Sequence, residues 1–219
     1  MQYEIQIIYK KVKNISIKVK PTLDVSVTAP IGVSQRVIDE LIIKRQDWIL
    51  KHLNHFKKLK LEQPKDYVSG ENFIILGRHY QLKVTESKTE SVMLSGGYLH
   101  LQITDKNNLA RKTQLIDKWY KEKAISFFNK KIAKYKPIVN KDVNKLTVRK
   151  MKTRWGSCNP RLAYINLNIV LIKKHPSAIE YVVLHELTHL IHYYHDKNFY
   201  NYISTHMPDW KIRKNRLLS

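Results

Sequence analysis

The pentad His185-Glu186-Leu187-Thr188-His189 constrains this chain more than any other five residues. Upstream of it, Pro176 suits the first turn of a helix, and Ile179, Val182 and Val183 supply an apolar side. The pattern predicts a helix from Pro176 through the pentad to about Tyr193. Four helical residues turn through about 400°, so the two imidazoles lie within about 40° of each other on one face. Imidazoles placed this way can bind one divalent ion. Glu186 then sits where its carboxylate reaches a water on that ion rather than the ion itself.

A catalytic site of this kind wants a third protein ligand and one open position. No Glu follows Glu186; the remaining downstream candidates are Asp196, Asp209, His192, His195 and His206. His192 lies on the right face, but seven residues of straight helix carry it about 10.5 Å from His185. His195 lies beyond the expected helix end and can fold back. Its offset from His185 is that of the long zinc motif HExxHxxGxxH, with His192 standing where the motif has Gly. His195 is therefore favoured, with His206 as the alternative. Tyr193, Tyr194 and Tyr200 could each bring a phenol near the ion.

The rest of the chain must support that site. Its 219 residues make one to two domains. Ile15, Ile17 and Val19 alternate as a strand, Pro21 to Asp24 supply a turn, and Val25 and Val27 resume the period of two until Pro30 and Gly32. Ser34 is placed to cap a single long helix carrying Ile38, Leu41, Ile42, Trp48, Ile49, Leu53 and Phe56. A polar stretch from Gln63 to Gly70 reads as a linker. Two hairpins follow, around Gly77-Arg78 and Gly96-Gly97. A second long helix is expected from Leu109 to Tyr135, ended by Pro137. Leu146 and Val148 open an extended segment, Arg154 to Cys158 read as a strand entering a tight turn, and Ala163 to Ile172 as another apolar strand. The expected class is α+β: a strand-rich region with one long helix over residues 1–105, then a compact catalytic domain over 106–219.

Lys and Arg outnumber Asp and Glu by 40 to 18, a formal charge of +22. Such an excess favours salt-sensitive contact with nucleic acid or another polyanion, although the basic residues are dispersed and do not alternate with aromatics as a base-stacking surface would. No apolar run is long enough for a membrane span. The single Cys158 excludes an internal disulfide and a multi-cysteine zinc finger, and is expected as a small buried hydrophobe. The expected location is cytoplasmic.

RWGSC (154–158), YINLNIVLI (164–172), YVVLHELTHL (181–190) and His195 with Phe199 occur in an order and spacing that resembles the YgjP-like metallopeptidases. ISIKVK with VSVTAP, WILK, ILGRHYQLKV, Trp119-Tyr120 and Pro208-Asp209-Trp210 extend the resemblance over nearly the whole chain. It implies a zincin-like domain related to the SprT-like and Wss1-like peptidases that act on proteins attached to DNA. By position it implies one Zn²⁺ per chain on His185, His189 and His195, with Glu186 as general base and a peptide or protein as substrate. Two readings attach to RWGSC. In one, Arg154 and Ser157 contact substrate. In the favoured one, Trp155 anchors the core, Gly156 allows a turn and Arg154 ties down a nearby carbonyl or acid. Rival functions are hydrolysis of a small amide or ester on the same site, and a basic nucleic-acid-binding adaptor whose zinc is structural.

Overall fold

In a computed structural model, which describes residues 3–20, 22–60 and 65–217 (only the backbone of 55 and 57–60), the chain forms two compact units, Met1–Pro64 and Lys65–Ser219. In the first, β1 (Ile5–Lys10), β2 (Ser16–Val19) and β3 (Val25–Pro30) form a sheet in the order β1-β3-β2. β3 runs parallel to β1 and antiparallel to β2. Part of the expected Pro21–Asp24 turn, Pro21 itself, lies outside the described residues.

The single long helix expected after Ser34 is two, α1 (Gln35–Lys44) and α2 (Gln46–Lys60). The break falls at Arg45, whose φ of −107° and ψ of 9° leave the helical region. The apolar stripe survives it: Ile38, Ile42, Ile49 and Leu53 are buried against Val19, Val25, Val27 and Ala29. Trp48, expected on that stripe, is exposed. Ser34 does stand at the N-cap, but its side chain makes no capping bond.

The stretch expected as a linker begins outside the described residues at Gln63 and Pro64, and its remainder is docked on the second unit. Gly70 N–H donates to Leu82 C=O and Ser69 Oγ accepts from Val84 N–H. There β4 (Asn72–Ile75), β5 (Arg78–Glu86), β6 (Ser91–Ser95) and β7 (Tyr98–Ile103) form a sheet in the order β4-β5-β7-β6. Both expected hairpins form. The first turns on Leu76-Gly77, both at positive φ, and its N–H groups donate to the carbonyls of Ile172 and Lys173.

That contact explains why residue 105 lies inside a unit. Phe73, Leu82, Leu99 and Leu101 share one core with Ile116, Phe128, Ile165, Leu167 and Leu184. The centre of this core is α3 (Leu109–Val139), which buries Ile116, Trp119, Tyr120, Ala124, Phe128, Ile132, Tyr135 and Val139 at helical spacing. α3 continues through Pro137, which was expected to end it. The cost of a proline falls in its last turn, and the helix closes at Asn140, whose left-handed backbone directs its N–H to Lys136 C=O. Tyr202 Oη donates to the otherwise open carbonyl of Ile138.

β8 (Lys145–Arg149), β9 (Gly156–Asn159) and β10 (Tyr164–Asn168) form a small sheet in the order β8-β10-β9. β10 is shorter than the apolar run predicted: after Asn168 the chain turns into a 3-10 helix, Ile169–Lys173. Then come α4 (Pro176–Thr188), α5 (Lys197–His206) and α6 (Trp210–Asn215). No described helix is long and apolar enough to cross a membrane.

Candidate active site

α4 ends at Thr188, earlier than predicted, and the site depends on that ending. Leu190 N–H bonds to Leu187 C=O, and the N–H groups of Ile191 and His192 both reach Thr188 C=O. The chain therefore tightens into one further turn after His189 and folds back before His195. His192 has no positive φ, so the turn that the long zinc motif makes with Gly is made here by ordinary backbone. Asp196 then caps α5, its Oδ1 accepting from Phe199 N–H at 2.9 Å, which fixes the residue before it, His195, at the edge of the helix.

The result is convergence. One ligand-type nitrogen from each of His185, His189 and His195 lies within 4.8 Å of the others. The Nε2 atoms of His185 and His195 face each other at 2.9 Å. His189 Nδ1 is 3.1 Å from His192 C=O, a bond that places the proton on Nδ1 and leaves Nε2 as the free lone pair. His192 thus contributes its carbonyl, while its ring and that of His206 pack on Tyr202. Beneath the three imidazoles lies the fully buried ring of Phe199, with centroids 4.9, 4.7 and 4.8 Å from those of His185, His189 and His195.

The electrostatics suit metal ligation. Burial, then the neighbouring His189 and His195 and the charge of Lys214, push His185 down to about 3. Burial likewise lowers His189 and His195. All three rings are therefore neutral near pH 7, the state that ligates. His185 Nδ1 is buried with no hydrogen-bond partner among the described residues. A donor set of three neutral imidazoles suits zinc and other first-row ions, and fits the ion the family implies.

Glu186 is 5% exposed, and burial pushes its carboxyl up to about 8 against the opposing pull of Arg154. It packs directly on Gly156: a Cβ there would stand 2.6 Å from Glu186 Oε1 and 2.8 Å from its Cγ. Gly156 has no positive φ, so the expected role of this glycine in a turn is corrected. Close approach requires it.

Both belong to the wall of a cleft of about 660 Å³. α4 and its C-cap contribute Tyr181, Val182, His185, Glu186 and His189; the segment from Thr153 to Cys158 forms another wall; Tyr193, Tyr200 and Lys214 complete the rim. Arg154 and Ser157 both line it. Arg154 is exposed, and its guanidinium ties down no carbonyl or acid among the described residues. That structural task falls to Asn168, which sequence reasoning did not single out. Its Nδ2 donates to the carbonyls of Met151 and Arg154, and its Oδ1 accepts from Val170 N–H. Ser157 Oγ accepts from Asn166 Nδ2 at 3.2 Å. Trp155 packs half-buried on the core, as expected. Cys158 is only partly buried and lines the cleft, its thiol pushed up to about 12 by burial and by Glu186.

A second unanticipated feature is an aromatic arch. Trp210 stacks on Tyr181 and Tyr200 at centroid distances of 6.0 and 5.4 Å, and these lie against His185 and His195 respectively. Of the three tyrosines considered from sequence, Tyr200 and Tyr193 line the cleft, while Tyr194 is 78% exposed.

A family model for the YgjP-like metallopeptidase domain matches residues 13–219. The metallopeptidase zymogen abylysin of Pyrococcus abyssi, solved by crystallography, is similar at 19% identity over 42% of this chain and 91% of that chain, with a TM-score of 0.39. That superposition is too slight to carry an argument. No curated protein matches the sequence. The family match alone spans both sheets of the second unit, α3 and every residue of the imidazole cluster, and on that ground the chain belongs to the YgjP-like metallopeptidases, a family of metal-dependent hydrolases.

Proposed function

We propose that this protein is a zinc-dependent peptidase in which His185, His189 and His195 hold the ion and Glu186 is the general base. The observation that carries this reading is three neutral imidazoles converging on the wall of an open cleft beside a buried carboxyl. An ion so held supplies polarisation of a scissile carbonyl and a water acidic enough to ionise near neutrality. Glu186, poised near pH 8 by burial and brought lower by any cation beside it, accepts the proton of the attacking water and later returns it to the leaving amine. Packing on Gly156 fixes that carboxyl in place.

Peptide as substrate is supported by the strand beside the cleft. β10 is central, with β8 and β9 on its two sides, so it has no free edge; among the described residues β9 pairs only with β10, and it borders the cleft. The unpaired backbone groups of β9 can take an extended peptide as a further strand, an attachment a small amide or ester lacks. A structural zinc is normally enclosed by four protein ligands; three imidazoles opening on a cleft favour hydrolysis over a structural adaptor.

The test is Glu186→Gln. The variant is expected to retain about one equivalent of zinc by elemental analysis while peptide turnover falls by a factor on the order of 10³. Unimpaired hydrolysis by this variant would remove Glu186 from the mechanism, and loss of the zinc together with turnover would recast it as a ligand.

A further inference from the structure

We propose that the cleft selects peptides carrying a carboxylate within a residue or two of the scissile bond, held by Arg154 and Lys214. This rests on the peptidase reading above.

The two cations reach the cleft from different segments. Arg154 lies two residues before the edge strand β9, close enough to Glu186 to pull on its titration. Lys214 lies on α6, its Nζ 5.8 Å from the ring centroid of Trp210, the keystone of the aromatic arch over His185 and His195. Its charge is felt by both of those histidines. Each side chain is exposed and lines the cleft.

Neither cation is engaged in a salt bridge among the described residues, in contrast with Arg213 on the same helix. Arg213 is held by Glu180 and Asp209. The acids nearest in sequence are also committed: Asp209 to Arg213, Asp196 to capping α5. Glu186 is the one carboxyl lining the cleft among the described residues. A bound dication adds to the positive field, which concave low-dielectric walls concentrate. A lysine or arginine flanking the scissile bond is repelled, and a carboxylate is attracted to two cations that make no salt bridge among the described residues. An Asp or Glu side chain and a chain-terminal carboxylate share this chemistry.

The experiment compares quenched fluorogenic peptides that differ at one point: Glu or Gln flanking the cleaved bond, the C-terminus amidated; Gln there with a free C-terminal carboxylate close to the bond; and Glu placed six residues away. With zinc-loaded wild-type protein, kcat/KM for a flanking Glu is expected to exceed that for Gln by about tenfold. The ratio should shrink with added salt and approach unity in Lys214→Gln/Arg154→Gln. The free-terminus peptide tells a terminal carboxylate from an internal acid as the preferred form. A second readout needs no turnover: Kd of the same peptides for zinc-loaded Glu186→Gln, by fluorescence anisotropy, should show the same order. Equal values for Glu and Gln overturn the proposal. So does an equal gain from the distant Glu, which would mean attraction by net charge alone. Absence of hydrolysis with every peptide overturns the peptidase reading, and the Kd comparison then decides the carboxylate preference by itself. The wild-type comparison stands whether or not the double variant folds.

Discussion

Gly156 and Glu186 approach so closely that no side chain fits between them: one methyl on Gly156 would meet Oε1 at 2.6 Å and the carboxylate carbon at 2.9 Å. The strand that borders the cleft and the acid beside the imidazoles meet directly at this point. Gly156→Ala is expected to keep its backbone and its metal but displace the carboxyl. A misplacement of about 1 Å costs roughly 10²-fold in rate, and the overpacking costs about 1–3 kcal/mol. Elemental analysis, a denaturant melt and kcat measured on the same sample separate the effects. Full activity in this variant would show that Glu186 has room to spare.

Phe199 is the floor under three imidazoles and is fully buried. Phe199→Ala should cost about 3–5 kcal/mol in folding stability and leave the rings free to tilt, weakening zinc retention against a chelator. Phe199→Leu should recover much of the stability but less of the metal affinity. Equal recovery of both would make the residue a core filler only.

The metal-free protein should lose stability as pH rises from 6.5 to 8. Burial raises Glu186 from 4.5 to about 8, so in that window the folded state holds a proton that the unfolded chain has released. The contribution is present below 4.5 and lost as pH passes 8. Below 6.5 His185 acts in the opposite sense, because its folded value near 3 means the unfolded chain binds the proton first. Chemical denaturation of the apo protein at pH 6.5 and 8 should differ by about 1–2 kcal/mol, and Glu186→Gln should remove the difference. A flat profile in the unsubstituted apo protein would contradict the burial argument.

Glu180 joins three helices outside the cleft. It accepts from Lys131 and Tyr135 of α3, and Arg213 of α6 donates to it at 2.7 Å. Burial alone would raise its carboxyl; these partners outweigh it and bring it to about 2. Its stabilisation is therefore present above the ordinary value of 4.5 and lost as pH falls towards 2. Glu180→Ala strands the cations and, because solvent screens this partly exposed cluster, is expected to cost about 1–3 kcal/mol at pH 7. The gap to the unsubstituted protein, followed by thermal melts, should narrow below pH 4.5 and close as pH reaches about 2. A gap that persists in acid would mean the loss is one of packing.

Much of the architecture was legible locally. Helical periodicity located α3, α4 and the buried stripe of α1 and α2, and the turn residues located both hairpins. The errors share a cause. The break at Arg45, the passage of α3 through Pro137 and the early end of α4 at Thr188 each run against a local preference, worth about 1 kcal/mol for ordinary residues and about 3 kcal/mol for proline, that tertiary packing can override. The roles of Asn168 and Trp210 went unforeseen for a like reason: an asparagine closing a strand and a tryptophan near the chain end carry no local pattern announcing a loop clasp or an aromatic arch.

By itself the sequence determined that His185 and His189 share a face with Glu186 beside them, because the pitch of an α-helix fixes side chains four residues apart whatever surrounds it. Only the tertiary structure decided that His195 returns to them while His206 does not, that β9 rather than β10 borders the cleft with a free edge, and that Gly156 is small to make room for an acid thirty residues away in the chain. These are relations between segments, set by how helices and a sheet pack, and no periodicity along one segment encodes the distance to another.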